Sequence, residues 1–249
     1  MKHFLLAGAL LPLVALAAPM AAPAKPDMKI LHLQVVLSKL GFSPGVLDGK
    51  SGESLNDALR GFQESRGLVK SGKLDAATKT ALLPYAGIEA TKKLTLTAAS
   101  LRGPFTFPMP SEEADKAKLP SLDYRNALEA LAERFHTTNA TLIALNGGDT
   151  RLAPGVVVVF PNALPASREY SAGDDAWRER LNALNVDANQ PQAARIVVDK
   201  SDRVLRVYDA AGELVAQFPA TMGSIRCHSA NGRSRASPTT QIGSTTRRY

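Results

Sequence analysis

A single cysteine, Cys227, stands in 249 residues. One thiol cannot build an intramolecular disulfide framework, so packing and hydrogen bonding must hold this chain together. Histidine is almost as scarce. His3, His32, His136 and His228 lie far apart and share no ligand spacing, so the pattern supports neither a metal site nor a cofactor motif. Aromatic residues make up 6% of the chain and are not interleaved with a basic stripe, which nucleic-acid binding would require. Acid is missing where base is concentrated. Residues 225–249 hold Arg226, Arg233, Arg235, Arg247 and Arg248 and no Asp or Glu, so five of the formal +7 charges fall there. Lys2 carries a sixth, which leaves +1 for the body of the chain. The net charge therefore argues for neither nucleic acid nor an anionic membrane surface.

Long apolar runs are also missing, with one exception. After Lys2 and His3, residues 4–18 are apolar, and small-residue sites follow at Ala15-Leu16-Ala17 and Ala22-Pro23-Ala24. The run is too short and too Pro-broken for a stable spanning helix and reads as a secretory signal over residues 1–24. The rest is expected to be exported and to form two or three small modules rather than one large core.

The first module spans residues 29–84. Ile30, Leu33, Val36, Leu37 and Leu40 recur at helical spacing until Gly41. Turn residues follow at Ser43-Pro44-Gly45 and Asp48-Gly49. A second helix carries Leu55, Ala58, Leu59 and Phe62 on one face and closes at Gly67. Ser71-Gly72 turns the chain, and Asp75 is placed to cap a third helix through Leu82. The Leu33-Gln34 pair, Asp48-Gly49, Phe62-Gln63, Gly67-Leu68 and Thr78 fall in an order that resembles the peptidoglycan-binding domain of wall enzymes. The resemblance covers residues 33–82. It implies a glycan or stem peptide held near the Asp48-Gly49 loop and the second helix, with Gln34, Asp48, Gly49 and Gln63 as candidate contacts. Gln34 and Gln63 also admit a second role as braces of their loops.

Residues 93–164 begin with a short alternating strand, Leu94-Thr95-Leu96-Thr97, and continue through a Pro-rich stretch with Pro104, Pro108, Pro110 and Pro120. An amphipathic helix over residues 127–135 follows. Thr138 or Asn139 caps a second helix through Leu145, and residues 156–160 form a strand closed by Pro161. This order is similar to the LysM carbohydrate-binding module, with a strand–helix–helix–strand plan. The long insertion between Thr97 and Leu122 departs from that plan, so both an active sugar binder and a LysM-like packing unit stay open. Phe105 and Phe107 lie in the insertion, and are read either as stacking rings for a sugar or as pins for the loop.

Residues 165–193 read as a linker containing a short helix over 176–184, whose Trp177 is expected to anchor it on a neighbour. Residues 195–224 read as a three-strand meander with turns at Ser201-Asp202 and Ala211-Gly212. The wording of this meander resembles the opening strands of the L,D-transpeptidase catalytic domain. That family uses a cysteine in a Ser-His-Gly-Cys segment to pass an acyl group between peptidoglycan stem peptides. No such segment occurs in these 249 residues. Cys227 and His228 are adjacent, and neighbours on an extended chain point apart, so Cys227 is read as non-catalytic. Residues 225–249 are expected to be disordered, and synonymous codons permit family-like residues in another reading frame from Ser224 onward. In that setting the last strand, residues 214–221, is expected to leave an unpaired edge.

The expectation is therefore an α+β multi-domain chain: a three-helix peptidoglycan-binding unit, a LysM-like β-α-α-β unit and the first strands of an incomplete transpeptidase domain. Peptidoglycan is the expected partner. No cofactor, nucleic acid or membrane span is expected, and the chain is read as a monomeric, periplasmic, wall-associated protein. An alternative role is non-catalytic tethering to peptidoglycan.

Overall fold

A computed structural model describes residues 23–171 and 173–221. Cys227 and residues 225–249 lie outside the described residues, as does nearly all of the expected leader, 1–24.

Three helices open the fold. The first, α1 (Met28–Lys39), starts where the Asp27 carboxylate accepts from the amides of Lys29 and Ile30 at 2.8 and 3.2 Å. It ends where Gly41 turns left-handed at φ +91°. There the Phe42 amide reaches back to Leu37 O and the Gly41 amide to Ser38 O, closing the last carbonyls. The second helix, α2 (Glu53–Ser65), ends in the same way at Gly67, and the third, α3 (Ala76–Leu82), is capped by Asp75 as expected. Leu37, Phe42, Leu55, Ala58, Leu59 and Phe62 form their core, with Phe42 and Phe62 edge to face at 5.9 Å between centroids.

A second core is built around strand β1 (Thr91–Thr95). After a long excursion carrying one turn of helix, α4 (Glu113–Lys116), the chain forms α5 (Ala127–Arg134), α6 (Asn139–Asn146) and β2 (Val157–Pro161). The two strands pair antiparallel, Thr91 opposite Pro161 and Thr95 opposite Val157. Asn126 caps α5 and Thr138 caps α6. Phe135 stacks on Phe160 at 4.1 Å in the centre of this cluster.

The segment expected as a linker is tied down. It carries α7 (Asp175–Ala183), and its Asn185 is buried and bonds Arg134 O at 2.9 Å. Arg168 also reaches Asn185 Oδ1, at 2.6 Å. Trp177 differs from expectation: its ring folds back over Gly173 of its own loop, where the missing side chain leaves room for it, and stays half-exposed.

The meander forms β3 (Arg195–Asp199), β4 (Val204–Tyr208) and β5 (Leu214–Pro219), in sheet order β3-β4-β5. The edge expected to be unpaired on the last strand is covered at one position, Gln217. The Ser43 amide donates to Gln217 O at 2.8 Å, and the Gln217 amide donates to Gly41 O at 2.9 Å, so the loop after α1 adds a short parallel rung to β5. Gln217 is buried, and its side-chain amide donates to Asp57 O on α2 at 2.7 Å. Leu214 enters the core of the three helices and Tyr208 packs against it. The helices and the meander therefore share one core.

This close approach requires glycine. A Cβ at position 41 would lie 2.8 Å from Val215 O, and one at 61 would lie 2.9 Å from the Gln217 side chain. Gly67 supplies the control, since it has φ +63° and open space around its missing Cβ. Gly67→Ala should cost about 1 kcal/mol of backbone strain alone. Gly41→Ala should cost at least about 2 kcal/mol, because the clash with β5 adds to the strain. Chemical denaturation of the full chain with each variant measures the difference; equal losses would mean that β5 does not rest on Gly41.

A second test follows from the first meander turn. Asp199 accepts from the Ser201 hydroxyl at 2.6 Å and from the Ser201 and Asp202 amides, and it pairs with Arg206 at 2.8 Å. The Ser201 hydroxyl leads these contacts in holding its carboxyl at about 2, below the ordinary 3.8. A depressed carboxylate contributes stability that is fully present above its unfolded value and lost as pH falls through its folded one. Thermal melts of the wild type should therefore lose stability between pH 4 and pH 2, taking these as roughly the two carboxyl values, and Asp199→Asn should flatten that part of the profile.

Candidate functional site

The sequence singled out two loops of the helical unit, and each is built around one glutamine. Gln34 lies on the buried face of α1 and is 2% exposed. Its Oε1 accepts from the amides of Asp48 and Gly49 at 3.0 and 2.8 Å, and its Nε2 donates to Asp48 Oδ1 at 3.1 Å and Lys50 O at 3.0 Å. Both ends of the side-chain amide are thus engaged. Gly49 is buried at φ +69°, and a Cβ there would sit 2.5 Å from Pro26 Cβ. Its carbonyl accepts from the Asp27 amide at 3.2 Å.

Gln63 does the same work for the other loop and is fully buried. Its Nε2 shares two hydrogens among Ser71 Oγ, Lys73 O and Thr78 Oγ1, at 3.0, 2.9 and 2.8 Å, and its Oε1 accepts from the Gly72 amide at 2.9 Å. Asp75 completes this set. The Thr78 amide, then the Ser71 and Thr78 hydroxyls, hold its carboxyl below the usual range. No hydrogen bond joins the two sets, so Gln34, Asp48 and Gly49 are brought together, and Gln63, on α2, braces a separate loop.

The surroundings decide what a ligand can reach. On one side, the Asp48-Gly49 loop lies against the second unit: the Leu47 amide donates to His136 O at 2.7 Å, and Thr137 Oγ1 donates to Leu47 O at 2.6 Å. Leu31, Val35 and Leu47 pack there with Ile88, Leu145 and Ala163. On another side, β5 covers Gly61 of α2. Near this seam Asp57 bonds Arg60, and burial, the largest influence on it, pushes its carboxyl up from the ordinary value. Beside the Asp48-Gly49 loop, the strip running from Lys50 through Ser51, Gly52 and Glu53 to Ser54 is exposed throughout. It leads into α2, whose N-cap Gly52 supplies no capping side chain.

Sequence reasoning missed this strip, because attention to the Asp-Gly turn favoured the residues that build the loop over those it displays. It also missed the seam. The available signal was Gln217, a polar residue at a buried position of an otherwise apolar strand.

The second unit has its own hollow of about 170 Å³, lined by Leu128, Leu142, Ile143, Gly147 and Val158 among others. Its main polar group is already engaged: Asn146 bonds Leu142 O, Val159 O and the Val159 amide at 2.9, 2.8 and 2.7 Å. His32 and His136 each turn Nε2 to a backbone carbonyl, Ile88 O at 2.7 Å and Leu184 O at 3.1 Å. Among the described residues no group of three His, Cys, Asp or Glu side chains is placed to hold a metal.

The two glutamine braces can be tested as braces. Gln63→Leu roughly keeps the volume but leaves the buried Gly72 amide without its partner. It should cost about 1–3 kcal/mol of unfolding free energy. A variant that unfolds with the wild type and loses ligand alone would instead make Gln63 a contact residue.

Comparison with known proteins agrees with this geometry over its first part. Residues 28–82 match the family model described as a putative peptidoglycan binding domain. Among curated proteins, a segment of 66 residues is 39% identical to the "Localization factor PodJL" of Caulobacter vibrioides strain NA1000/CB15N, and equally to that of strain ATCC 19089 / CIP 103742 / CB 15. The match covers 26% of this chain and 7% of each relative's length. A peptidoglycan-binding domain thus occupies the chain from α1 to the end of α3.

Proposed function

We propose that this chain is an exported, periplasmic peptidoglycan-binding protein, descended from L,D-transpeptidases, that tethers to the wall rather than cross-linking it. The observation that carries the binding reading is the family match over residues 28–82, on a unit whose two loops are each held rigid by a buried glutamine. Rigid loops lower the entropy lost on binding. In this reading the ligand lies along the exposed 50–54 strip beside the loop of Asp48 and Gly49, with Gln34 and Gln63 acting from beneath. The second unit, with its strand–helix–helix–strand order, serves as a LysM-like neighbour.

The meander supports the lineage. Register aligns Ile196 with Val207 and Ala216, and Val198 with Leu205 and Phe218, on the face turned away from α2. Ile196, Val198 and Phe218 are exposed there. An apolar sheet face left exposed in this way has the pattern of one that a further layer would cover, as inside a larger catalytic domain. The tethering role is proposed for these 249 residues, whose matched unit is a binding domain. A related segment in a protein named as a localization factor fits a unit used for anchoring. No described helix is long and apolar enough to cross a membrane.

Two measurements on the full chain test the two halves of this reading. Purified sacculi should retain the protein on sedimentation, and passage of all of it into the supernatant would defeat the binding role. Intact mass after incubation with a carbapenem should be unchanged, whereas an acyl adduct on Cys227 would restore the cysteine enzyme.

A further inference from the structure

The excursion between β1 and α5 contains two phenylalanines that the fold treats differently. Phe105 is pinned. Its ring lies over Gly103, where a Cβ would meet ring carbons at 3.1 and 3.2 Å. Its strand segment bridges Tyr124, with the Thr106 amide donating to Tyr124 O at 2.9 Å. Phe107, two residues on, is 82% exposed. A phenyl ring left in water forgoes about 1.5–3 kcal/mol of burial that the fold does not recover elsewhere. The ring stands on a stiff base, because Pro108 and Pro110 fix the backbone that follows it.

That base borders a groove of about 440 Å³ lined by Phe107, Pro108, Met109, Pro110, Lys116 and Arg125. The apolar side is the ring and its prolines, and the rim is cationic. Lys116 is paired with Glu113 at 2.7 Å. Arg125 donates its backbone amide to Glu129, and its guanidinium has no ion pair among the described residues.

We propose that this groove is a second contact for peptidoglycan, stacking the C–H face of an acidic sugar on Phe107 and taking its carboxylate-bearing substituent at Arg125. The ligand class follows from the lining. A flat ring and two prolines suit a pyranose face, and an unpaired guanidinium presents a fork that matches a carboxylate. An apolar peptide would find a single exposed ring and a charged rim. The inference rests on the peptidoglycan-binding reading, because a strand held by the first unit meets this groove at the high local concentration of a tethered ligand.

The test uses the full chain with Phe107→Ala, Phe107→Trp and Arg125→Gln, sedimented with purified sacculi and titrated by NMR with a soluble disaccharide–tetrapeptide and an uncharged chitooligosaccharide. The Ala variant should melt with the wild type, since its ring is in solvent, and should bind sacculi about tenfold more weakly, the loss of about one stacking contact. The Trp variant should restore binding. Arg125→Gln should weaken the disaccharide–tetrapeptide several-fold and leave the chitooligosaccharide unchanged. Sacculus binding equal to wild type in both Phe107→Ala and Arg125→Gln overturns this site while leaving the first unit's role intact. Failure of the wild type to bind sacculi overturns the underlying reading instead.

Discussion

Strand β5 can lie along the helical unit only because positions 41 and 61 carry no side chain. A Cβ at either one would reach within 3 Å of β5 or of its Gln217. Gln217 then bonds three ways across the gap, to Gly41 and Ser43 through its backbone and to Asp57 through its amide. A buried amide of this kind is favourable only when its partners are all present, so the contact fixes position as well as adding stability. Leu214 and Tyr208 follow it into the helical core. The meander has little interior of its own, and it borrows one from helices more than a hundred residues earlier. This explains how three short strands can hold together with no further strand beside them among the described residues.

The second constraint is the contact at Leu47. Its amide and carbonyl are both taken by residues 136 and 137, so the Asp48-Gly49 loop belongs to two units at once. The helical unit is therefore gripped on two sides, by α5's C-terminal turn and by β5. Only its remaining surface can meet a polymer. The enclosure also supplies rigidity, since a loop braced by Gln34 and backed by a second core has few alternative shapes to lose on binding.

Local structure was legible in the sequence, and association was not. Asp75, Thr138 and the glycines at 41 and 67 announced helix ends, because caps and left-handed turns depend on neighbouring residues. The three meander strands were legible from alternation and turn residues. The docking of β5 onto α2 was not, because nothing near residue 217 in sequence refers to residue 57. The tying-down of the linker segment was hidden for a related reason: its composition is polar, yet Asn185 uses that polarity to bond Arg134 O of α5, and Arg168 in turn bonds Asn185. At the candidate site, Gln34 and Gln63 were found by their motif, but a motif marks the residues a family needs without separating support from contact. Burial separates them. The exposure of Phe107 was likewise undecidable in one dimension, since the same letter two positions earlier is partly covered and this one is bare.

A polymer ligand changes what weak sites are worth. One shallow strip beside a braced loop offers little buried area, and area of that kind does not convert directly into affinity. Peptidoglycan, however, presents the same chemical unit repeatedly along a strand. Two modest contacts on a body whose parts are bonded to each other act at a fixed separation, so the second contact forms without a second loss of translational freedom. A flexible linker would spread that separation over many distances. The pinning of residues 165–193, the Leu47 contact and the Gln217 contact all remove such freedom from the described chain. The same rigidity has a cost: if the fixed spacing did not match the repeat of the strand, the two contacts could not engage together and each would act with its own low affinity.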